Sequence, residues 1–239
     1  MKIAIIGSGN VASHLNRALA PKVAVSLINP HTPTLPDEVD IVLIAVSDDA
    51  IEDVVEKLPK LNTVVAHTSG SVMMDSLKKY GENYGVFYPL QTFTKDFPLD
   101  YRDIPVFIEG STPFAKERLE KLASLFTDKI AWADSTQRKQ LHLASVFACN
   151  FTNAMASMAL EILKNSNFDM SMLLPLMRQT LKKLESLSPS EAQTGPAARN
   201  DRKIIETHLK MLENRHLLRE AYKTITEFIQ ANSGDNKNF

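Results

Sequence analysis

The sequence predicts an α/β protein: a Rossmann-like, doubly wound and mostly parallel sheet, followed by an all-α C-terminal domain. Three observations support this fold class. The chain opens with an apolar run at residues 3–6 that leads directly into a glycine turn. Apolar strand patterns then alternate with helical patterns as far as Trp132, which is typical of βαβ units. Beyond Asp134 only helical patterns occur, which indicates a separate helical domain.

The first strand and turn have the G-x-G-x-x-A spacing of a dinucleotide-binding site. Gly7 permits the tight bend, Gly9 leaves room for phosphate, and Ala12 allows the next helix to pack closely on the strand. The free N–H groups at the start of that helix favour a bound anion. We therefore predict that the cofactor pyrophosphate binds at Gly7, Ser8, Gly9, Asn10 and Val11.

The end of the second predicted strand bears on the choice of dinucleotide. An acid is expected there in NAD-binding proteins, but this chain has Asn29, followed by Pro30, His31 and Thr32. A carboxylate would repel a 2′-phosphate, so neutral Asn29 with the donors His31 and Thr32 favours NADP over NAD. This loop contains no arginine, and an ordinary proline-rich turn is the alternative interpretation. NAD is the alternative cofactor.

The remaining elements are predicted from apolar periodicity. Strands are predicted at residues 23–28, 40–46, 63–67, 85–88, 105–108 and 129–132, the last at a sheet edge. Helices are predicted at residues 11–20, 47–58 (with 47–49 as the capped start), 71–80, 112–126, 135–165, 169–187, 201–213 and 215–232. Three prolines in residues 29–38 argue against a crossover helix there. The predicted domains are residues 1–133 and 134–232, with a disordered tail at 233–239.

Composition limits the possible partners. The net charge of −1 over 239 residues gives no long-range field for nucleic acid or an anionic membrane. The single cysteine, Cys149, has apolar neighbours and is predicted to be a buried, inert thiol. The N-terminal apolar run is too short for a signal peptide, so we expect a cytoplasmic protein. We expect no metal site, and a small molecule as substrate.

Residues 141–160 contain no Asp, Glu, Lys or Arg, and this length could span a membrane. His142, Asn150 and Asn153 would be costly in lipid, so we predict a central buried helix instead. A helix packed between a sheet and a second copy of the chain has no side that faces water, so it is also apolar on all sides. We therefore expect a homodimer through the helical domain.

The same helix carries a polar stripe. At about 100° per residue, one arc contains Lys139, His142, Asn150, Asn153 and Ser157. The stripe either satisfies backbone groups in a core or interface, or faces a cleft and meets substrate. In the second case Lys139 or His142 could donate a proton to a carbonyl or imine that receives hydride.

Polar loops at the carboxyl ends of the predicted strands supply further candidates, because open α/β sheets bind ligands at that edge. Cofactor contacts are predicted at Val46, Ser47, Thr68 and Ser69. The alternative for Ser69 and Asp48 is helix capping. In residues 194–201, Arg199 could bind a substrate carboxylate or pair with Asp201. The catalytic candidates are His142, Lys139, Asn150 and Ser69, and the substrate candidates are Tyr88, Gln91, Asn153 and Arg199.

Five segments together resemble a family of bacterial Rossmann-like oxidoreductases with a helical C-terminal domain: residues 7–12, 41–46, 67–70, 89–93 and 194–201. That family is similar in plan to pyrroline-5-carboxylate reductase, the 3-hydroxyacid and 6-phosphogluconate dehydrogenases, and the deazaflavin-dependent NADP reductases. The resemblance implies an NADP-type cofactor, a catalytic cleft between domains, and dimerisation through the helical half. This chain has Tyr88 where the family usually has His, and Asn200 where it usually has Gly. Its Lys139 is followed four residues later by Leu143, not by the Asn of the hydroxyacid dehydrogenases.

These features favour an NAD(P)-dependent oxidoreductase that transfers hydride to or from a small carbonyl, imine or hydroxy substrate. A dinucleotide-binding sensor without turnover is the competing hypothesis, and a flavin-binding protein is a third. The polar stripe discriminates between the first two, because only an enzyme requires a proton donor beside the nicotinamide.

Overall fold

A computed structural model describes residues 1–60 and 62–233 of the chain. The chain forms two compact units, Met1–Phe151 and the residues from Thr152 onward. The first unit contains a seven-stranded sheet and the second is helical. The predicted disordered tail, residues 233–239, lies outside the described residues except for Ser233.

The sheet of the first unit confirms the predicted Rossmann-like, mostly parallel arrangement. Its strands have the order β2-β1-β3-β4-β5-β6-β7, and the β5–β6 pair is antiparallel while the other pairs are parallel. The strand β7 lies at the edge, as predicted. The strands are β1 (Lys2–Ile6), β2 (Ala24–Ile28), β3 (Ile41–Ile44), β4 (Val64–His67), β5 (Tyr84–Pro89), β6 (Val106–Gly110) and β7 (Ile130–Trp132).

Helices cover both faces of this sheet. Helices α1 (Asn10–Leu19) and α3 (Pro113–Phe126) pack in one apolar cluster, and α2 (Ile51–Lys57) packs in the other. Alternate residues of β1 enter the two clusters, because side chains along a strand point to opposite faces. A strand buried on both faces needs a continuous apolar run, which is why these strands were predictable from sequence.

The register of the central strands places three loops together. Ile6 pairs with Ile28 on one side and with Ile44 on the other. The loops that follow β1, β2 and β3 therefore lie together at the carboxyl ends of these parallel strands. The strand order reverses between β1 and β3, and ligands of open α/β sheets bind at such a switch point.

Two connections test the local predictions. Residues 29–40 contain no helix, as the prolines predicted. The predicted helix at residues 71–80 is wrong, because only a 3-10 turn at Met74–Leu77 forms there. The hydroxyl of Ser69 accepts the N–H groups of Ser71 and Val72, and the Val72 carbonyl accepts from Arg138. These contacts replace the hydrogen bonds that a helix would make.

The predicted helix at residues 135–165 is interrupted. It consists of α4 (Ser135–Ser145), a π-helical segment (Val146–Phe151) and α5 (Thr152–Leu163). The Asp134 side chain caps α4 and forms a capping box with Gln137. The compact units divide at 151/152, whereas the predicted domain boundary is at 133/134. Helix α4 therefore belongs to the same compact unit as the sheet.

The apolar helical run Ser135–Leu163 passes the length and composition test for a membrane span, with a mean hydropathy of 1.3. The prediction of a central buried helix is wrong for the single chain, because none of its most apolar window is buried. Leu143 is 60% exposed, Phe147 is 63% exposed, and Cys149 is also exposed rather than buried. Apolar patterning identifies side chains that avoid water, but not the surface that covers them.

Up to residue 233, the second unit contains α5 and four further helices: α6 (Met170–Leu184), α7 (Pro189–Ala192), α8 (Arg202–Met211) and α9 (His216–Ser233). Between α7 and α8, Asn200 has a φ of 52°. This left-handed conformation is easiest for glycine and is also tolerated by asparagine. The departure from glycine at this position is therefore compatible with the turn. Asp201 caps α8 by accepting the N–H of Ile204.

Candidate functional site

The two glycines of the first turn have different physical roles. Gly7 has a φ of 144°, and a Cβ built on it would lie 2.2 Å from the Ala45 carbonyl oxygen, so the fold itself requires glycine there. A Cβ built on Gly9 meets no described atom within 4 Å, and Gly9 has an ordinary extended backbone with a φ of −79°. The fold does not explain glycine at position 9. A phosphate group seated over the start of α1 would explain it.

A cavity of about 470 Å³ adjoins this turn. Its lining combines the turn with the loops after β2 and β3 and with one side of α2, as expected for a dinucleotide site at the switch point. His31 lies in the lining, but Asn29 and Thr32 do not, and the Asn29 side chain accepts the N–H of His31 within its own turn. The lining residues are Gly7, Ser8, Gly9, Asn10, Val11, Pro30, His31, Ala45, Val46, Ser47, Ala50, Asp53, Val54 and Lys57.

Lys57 is a cavity residue that the sequence patterns did not single out. It lies in the last turn of α2, far from His31 in sequence, yet both line the same cavity. A cation for the 2′-phosphate is ordinarily expected in the loop after β2, where this chain has none. The one sequence signal that could have identified Lys57 was its position at the end of the predicted helix that follows β3.

Hydrogen bonds join the loops after β3 and β4. Ser71 donates its hydroxyl to the Asp48 carboxylate, and Thr68 donates its backbone N–H to the Ile44 carbonyl at 3.1 Å. The Ser69 hydroxyl oxygen accepts the backbone N–H groups of Ser71 and Val72, which closes a local turn but caps no helix, because the 3-10 turn begins only at Met74. These bonds tie the loop that carries Thr68 and Ser69 to the loop after β3, but neither of these predicted cofactor contacts lines the cavity beside the glycine turn.

The buried side chain of His67 contacts the loop after β4 through both ring nitrogens. Its Nδ1 accepts the N–H of Ser69 at 3.2 Å, and its Nε2 lies 3.4 Å from the Met73 carbonyl oxygen. Burial, with a smaller effect of the Arg138 charge, lowers the pKa of His67 to about 4. His67 is therefore neutral near pH 7 and supports the loop without donating protons to a substrate.

A tyrosine–histidine pair lies beside this loop. The Tyr88 hydroxyl is 3.1 Å from Nδ1 of His142. Gly70 packs against both rings, because a Cβ at this position would lie 2.7 Å from His142 Nδ1 and from Tyr88 Cζ. Burial raises the pKa of the Tyr88 phenol, so the hydroxyl stays protonated at neutral pH. The structure thus brings together a predicted catalytic residue and a predicted substrate contact.

A buried ion pair fixes α4, and therefore His142, against the sheet. Arg138 is fully buried and forms a salt bridge with Glu109 of β6. Its guanidinium also donates to the Val72 carbonyl and to the Ser135 hydroxyl, the latter at 3.1 Å. Ser135 in turn donates its hydroxyl to Glu109 at 2.8 Å. The sequence did not reveal this network, since no local pattern shows that one arginine among several charged residues is buried.

The predicted polar stripe does not follow one face of a regular helix. The predicted stripe assumes a regular helix, but a π-helical turn holds one more residue and rotates the subsequent residues by about 100°. The single arc is therefore wrong beyond Ser145. Lys139 and Asn150 are exposed in the first unit, and Gln91 is exposed in the loop after β5. Asn153 and Arg199 are exposed in the second unit.

Comparisons with known proteins agree with this fold. A family model described as a domain of unknown function, DUF2520, matches residues 104–229. A crystal structure from Bacteroides fragilis, described as a candidate NADP oxidoreductase, is 34% identical and has a TM-score of 0.86. That match covers 96% of this chain and 98% of the other. No curated protein matches the sequence.

More distant structures share the fold alone. An imine reductase from Myxococcus stipitatus, solved with NADP⁺, is 14% identical and has a TM-score of 0.66. The match covers 97% of this chain and 93% of the reductase. A reductive aminase from Aspergillus terreus, solved with NADPH and ethyl levulinate, is also 14% identical. Its TM-score is 0.61, and the match covers 98% of this chain and 91% of that protein.

Proposed function

We propose that this chain, which belongs to the DUF2520 family, is an NADP-dependent oxidoreductase that reduces a small carbonyl or imine compound. The observation that carries the proposal is Gly9. The fold leaves open space where its Cβ would stand, at the start of α1 and beside a cavity of about 470 Å³. The fold shared with the Bacteroides fragilis candidate NADP oxidoreductase supports the same cofactor class.

The chain's own residues fit an NADP-type dinucleotide. The backbone N–H groups of residues 9–11, at the start of α1, can bind the pyrophosphate, since the first turn of a helix lacks internal partners for them. His31 and Lys57 line the cavity from different elements and supply donors for a 2′-phosphate. When bound, the reduced nicotinamide supplies a hydride.

The Tyr88–His142 pair is the proton source that the reaction needs. In the proposed reduction the substrate carbon gains hydride, its oxygen or nitrogen gains a proton, and NADPH becomes NADP⁺. Tyr88 is buried, its hydroxyl is protonated, and it is hydrogen-bonded to His142, which can replace the proton that it gives up. Ser69 is occupied as a hydrogen-bond acceptor, which makes it the weaker candidate.

Calorimetric titration tests the cofactor assignment. We expect NADPH to bind more tightly than NADH, and Lys57→Met to weaken NADPH about tenfold or more while leaving NADH unchanged. Lys60→Met, which removes an exposed lysine beyond the end of α2, is the matched control. Equal affinities in the unmodified protein would remove the NADP preference, and no binding would remove the proposed function.

Turnover tests the chemistry. A panel of cyclic imines and small ketones with NADPH is expected to contain at least one substrate, detected by loss of reduced-nicotinamide absorbance. Tyr88→Phe and His142→Ala should each lower the rate by about 10²-fold or more with NADPH affinity unchanged. Tyr84→Phe makes the same substitution on the same strand, away from the pair, and should keep full activity. Full activity in both pair variants would refute this proton source, and binding without turnover would favour the sensor.

A further inference from the structure

Three side chains of α1 hold the loop after β5. Asn10 Nδ2 donates to the Phe93 carbonyl at 2.9 Å, and Arg17 Nη2 donates to the Lys95 carbonyl at 3.1 Å. Between them, His14 Nε2 lies 2.8 Å from the Thr94 carbonyl oxygen. Residues at positions i, i+4 and i+7 share one face of a helix, and here they meet three consecutive carbonyls. We call Asn10, His14 and Arg17 the α1 clasp.

His14 is the buried member of the clasp, with no exposed surface. A carbonyl oxygen can only accept, so Nε2 carries the proton, and in the neutral ring Nδ1 accepts from the Tyr101 hydroxyl at 2.9 Å. The imidazole also packs on Phe93, with ring centroids 5.1 Å apart. Both ring nitrogens and one ring face are therefore used to hold residues 93–101.

The clasp joins two parts of the proposed site. Helix α1 begins at the glycine turn, and the loop begins directly after the Tyr88-Pro89 end of β5. Gln91 and Thr92 lie exposed on this loop. Because β5 lies beyond β4 in the sheet, its carboxyl end is on the side of the switch point away from His31 and β2. A dinucleotide whose adenosine half meets His31 would extend its other half toward this loop.

We propose that His14 is a positioning residue that holds the 90–96 loop beside the nicotinamide half of the bound cofactor. Tight binding of the whole dinucleotide then depends on a contact that the adenosine half does not need. The inference rests on the proposed function, since it assumes that the cavity binds a dinucleotide. It assigns a role to a buried histidine that the proton-transfer chemistry does not use.

Two ligands separate the two halves of the cofactor: NADPH, and adenosine 2′,5′-bisphosphate, which lacks the nicotinamide half. His14→Phe keeps an aromatic ring but removes both hydrogen bonds. We expect it to weaken NADPH about tenfold by calorimetry, while the affinity for the bisphosphate changes less than about twofold. His14→Gln retains one amide donor that can reach the Thr94 carbonyl, and should recover part of the NADPH affinity.

Two further variants keep the test decisive. Tyr101→Phe removes only the hydroxyl bonded to Nδ1 and keeps the ring that packs on Phe126, so it is expected to fold even if His14→Phe does not, and should weaken NADPH about threefold. Lys22→Met removes a side-chain donor to the Leu125 carbonyl instead of the loop, and should leave both ligands unaffected. Unchanged NADPH binding in His14→Phe and Tyr101→Phe, or equal losses for both ligands, would overturn the inference alone. Failure of the unmodified protein to bind NADPH would overturn the proposed function as well.

Discussion

At the scale of single residues, Gly7 and Gly9 separate what the fold needs from what a ligand needs. Gly9→Val is expected to abolish NADPH binding while changing the free energy of unfolding by less than about 1 kcal/mol, since its side chain would enter open space. Gly7→Ala is the control, and should cost at least about 2 kcal/mol because of its positive φ and the Ala45 carbonyl. Calorimetry and urea unfolding measure the two effects. Retained NADPH binding in Gly9→Val would contradict the assignment of the phosphate site.

His67 makes the stability depend on pH. Its pKa is about 4 in the folded protein, against an ordinary value near 6.5, so between these values only the unfolded chain binds the proton. The contribution of His67 is fully present above about pH 6.5 and is lost as the pH falls toward 4. The loss amounts to about 3 kcal/mol.

Urea unfolding at pH 7 and pH 4.5 measures this effect. His67→Gln cannot titrate, so the difference in unfolding free energy between the two pH values should be smaller in the variant than in the unmodified protein. An equal pH dependence in both proteins would show that His67 is not held neutral by the fold.

At the scale of elements, breaking the Arg138–Glu109 ion pair is expected to destabilise the fold, since it would leave one buried charge unpaired. Arg138→Met would leave the Glu109 carboxylate, whose side chain is 16% exposed, without its cation, at a cost of about 3–5 kcal/mol. Arg118→Met removes a pair with Asp40 whose side chains are each 34% exposed, and should cost less than about 1 kcal/mol. Urea unfolding compares them. Similar losses for the two variants would mean that burial does not distinguish the Arg138 pair.

The elements that could be predicted were those whose buried residues form a recognisable pattern within a short stretch of sequence. Residues 3–6 of β1 and all of β3 are unbroken apolar runs, and the glycine turn has fixed spacing, so these elements were predicted correctly. The helix expected at residues 71–80 failed because its backbone is held by Ser69 and Arg138, and Arg138 is distant in sequence. Lys57 and Glu109 were missed for the same reason. Their roles depend on which surfaces the fold brings together.

The candidate site was predictable in its residue types but not in its pairings. Tyr88 and His142 were each selected for separate reasons, and they stand 54 positions apart in the chain. Only the position of α4 on the sheet shows that they form a hydrogen bond. The stripe failed beyond Ser145, because a π-helical turn breaks the 3.6-residue period without an obvious signal such as proline.

At the scale of the whole molecule, the helical segments expose apolar side chains that a binding partner would cover. We expect this partner to be a second copy of the chain. Phe168, Met172 and Leu176 are each more than 60% exposed, and Phe147 in the π-helical segment is 63% exposed. Exposed apolar side chains in such numbers normally mark an interface, and closed two-fold pairs are the commonest soluble assembly. With a net charge of −1, two copies repel each other little.

Light scattering at micromolar concentration should therefore give about twice the chain mass of 26.7 kDa. Leu176→Glu places a charge on an exposed apolar position of α6 and should shift the protein toward the monomer, because a buried unpaired charge opposes association. Phe97→Glu changes a similarly exposed side chain, 64% exposed in the loop after β5, and should leave the dimer intact. A monomeric unmodified protein would exclude the homodimer, and dissociation by both variants would place the interface on the loop side as well.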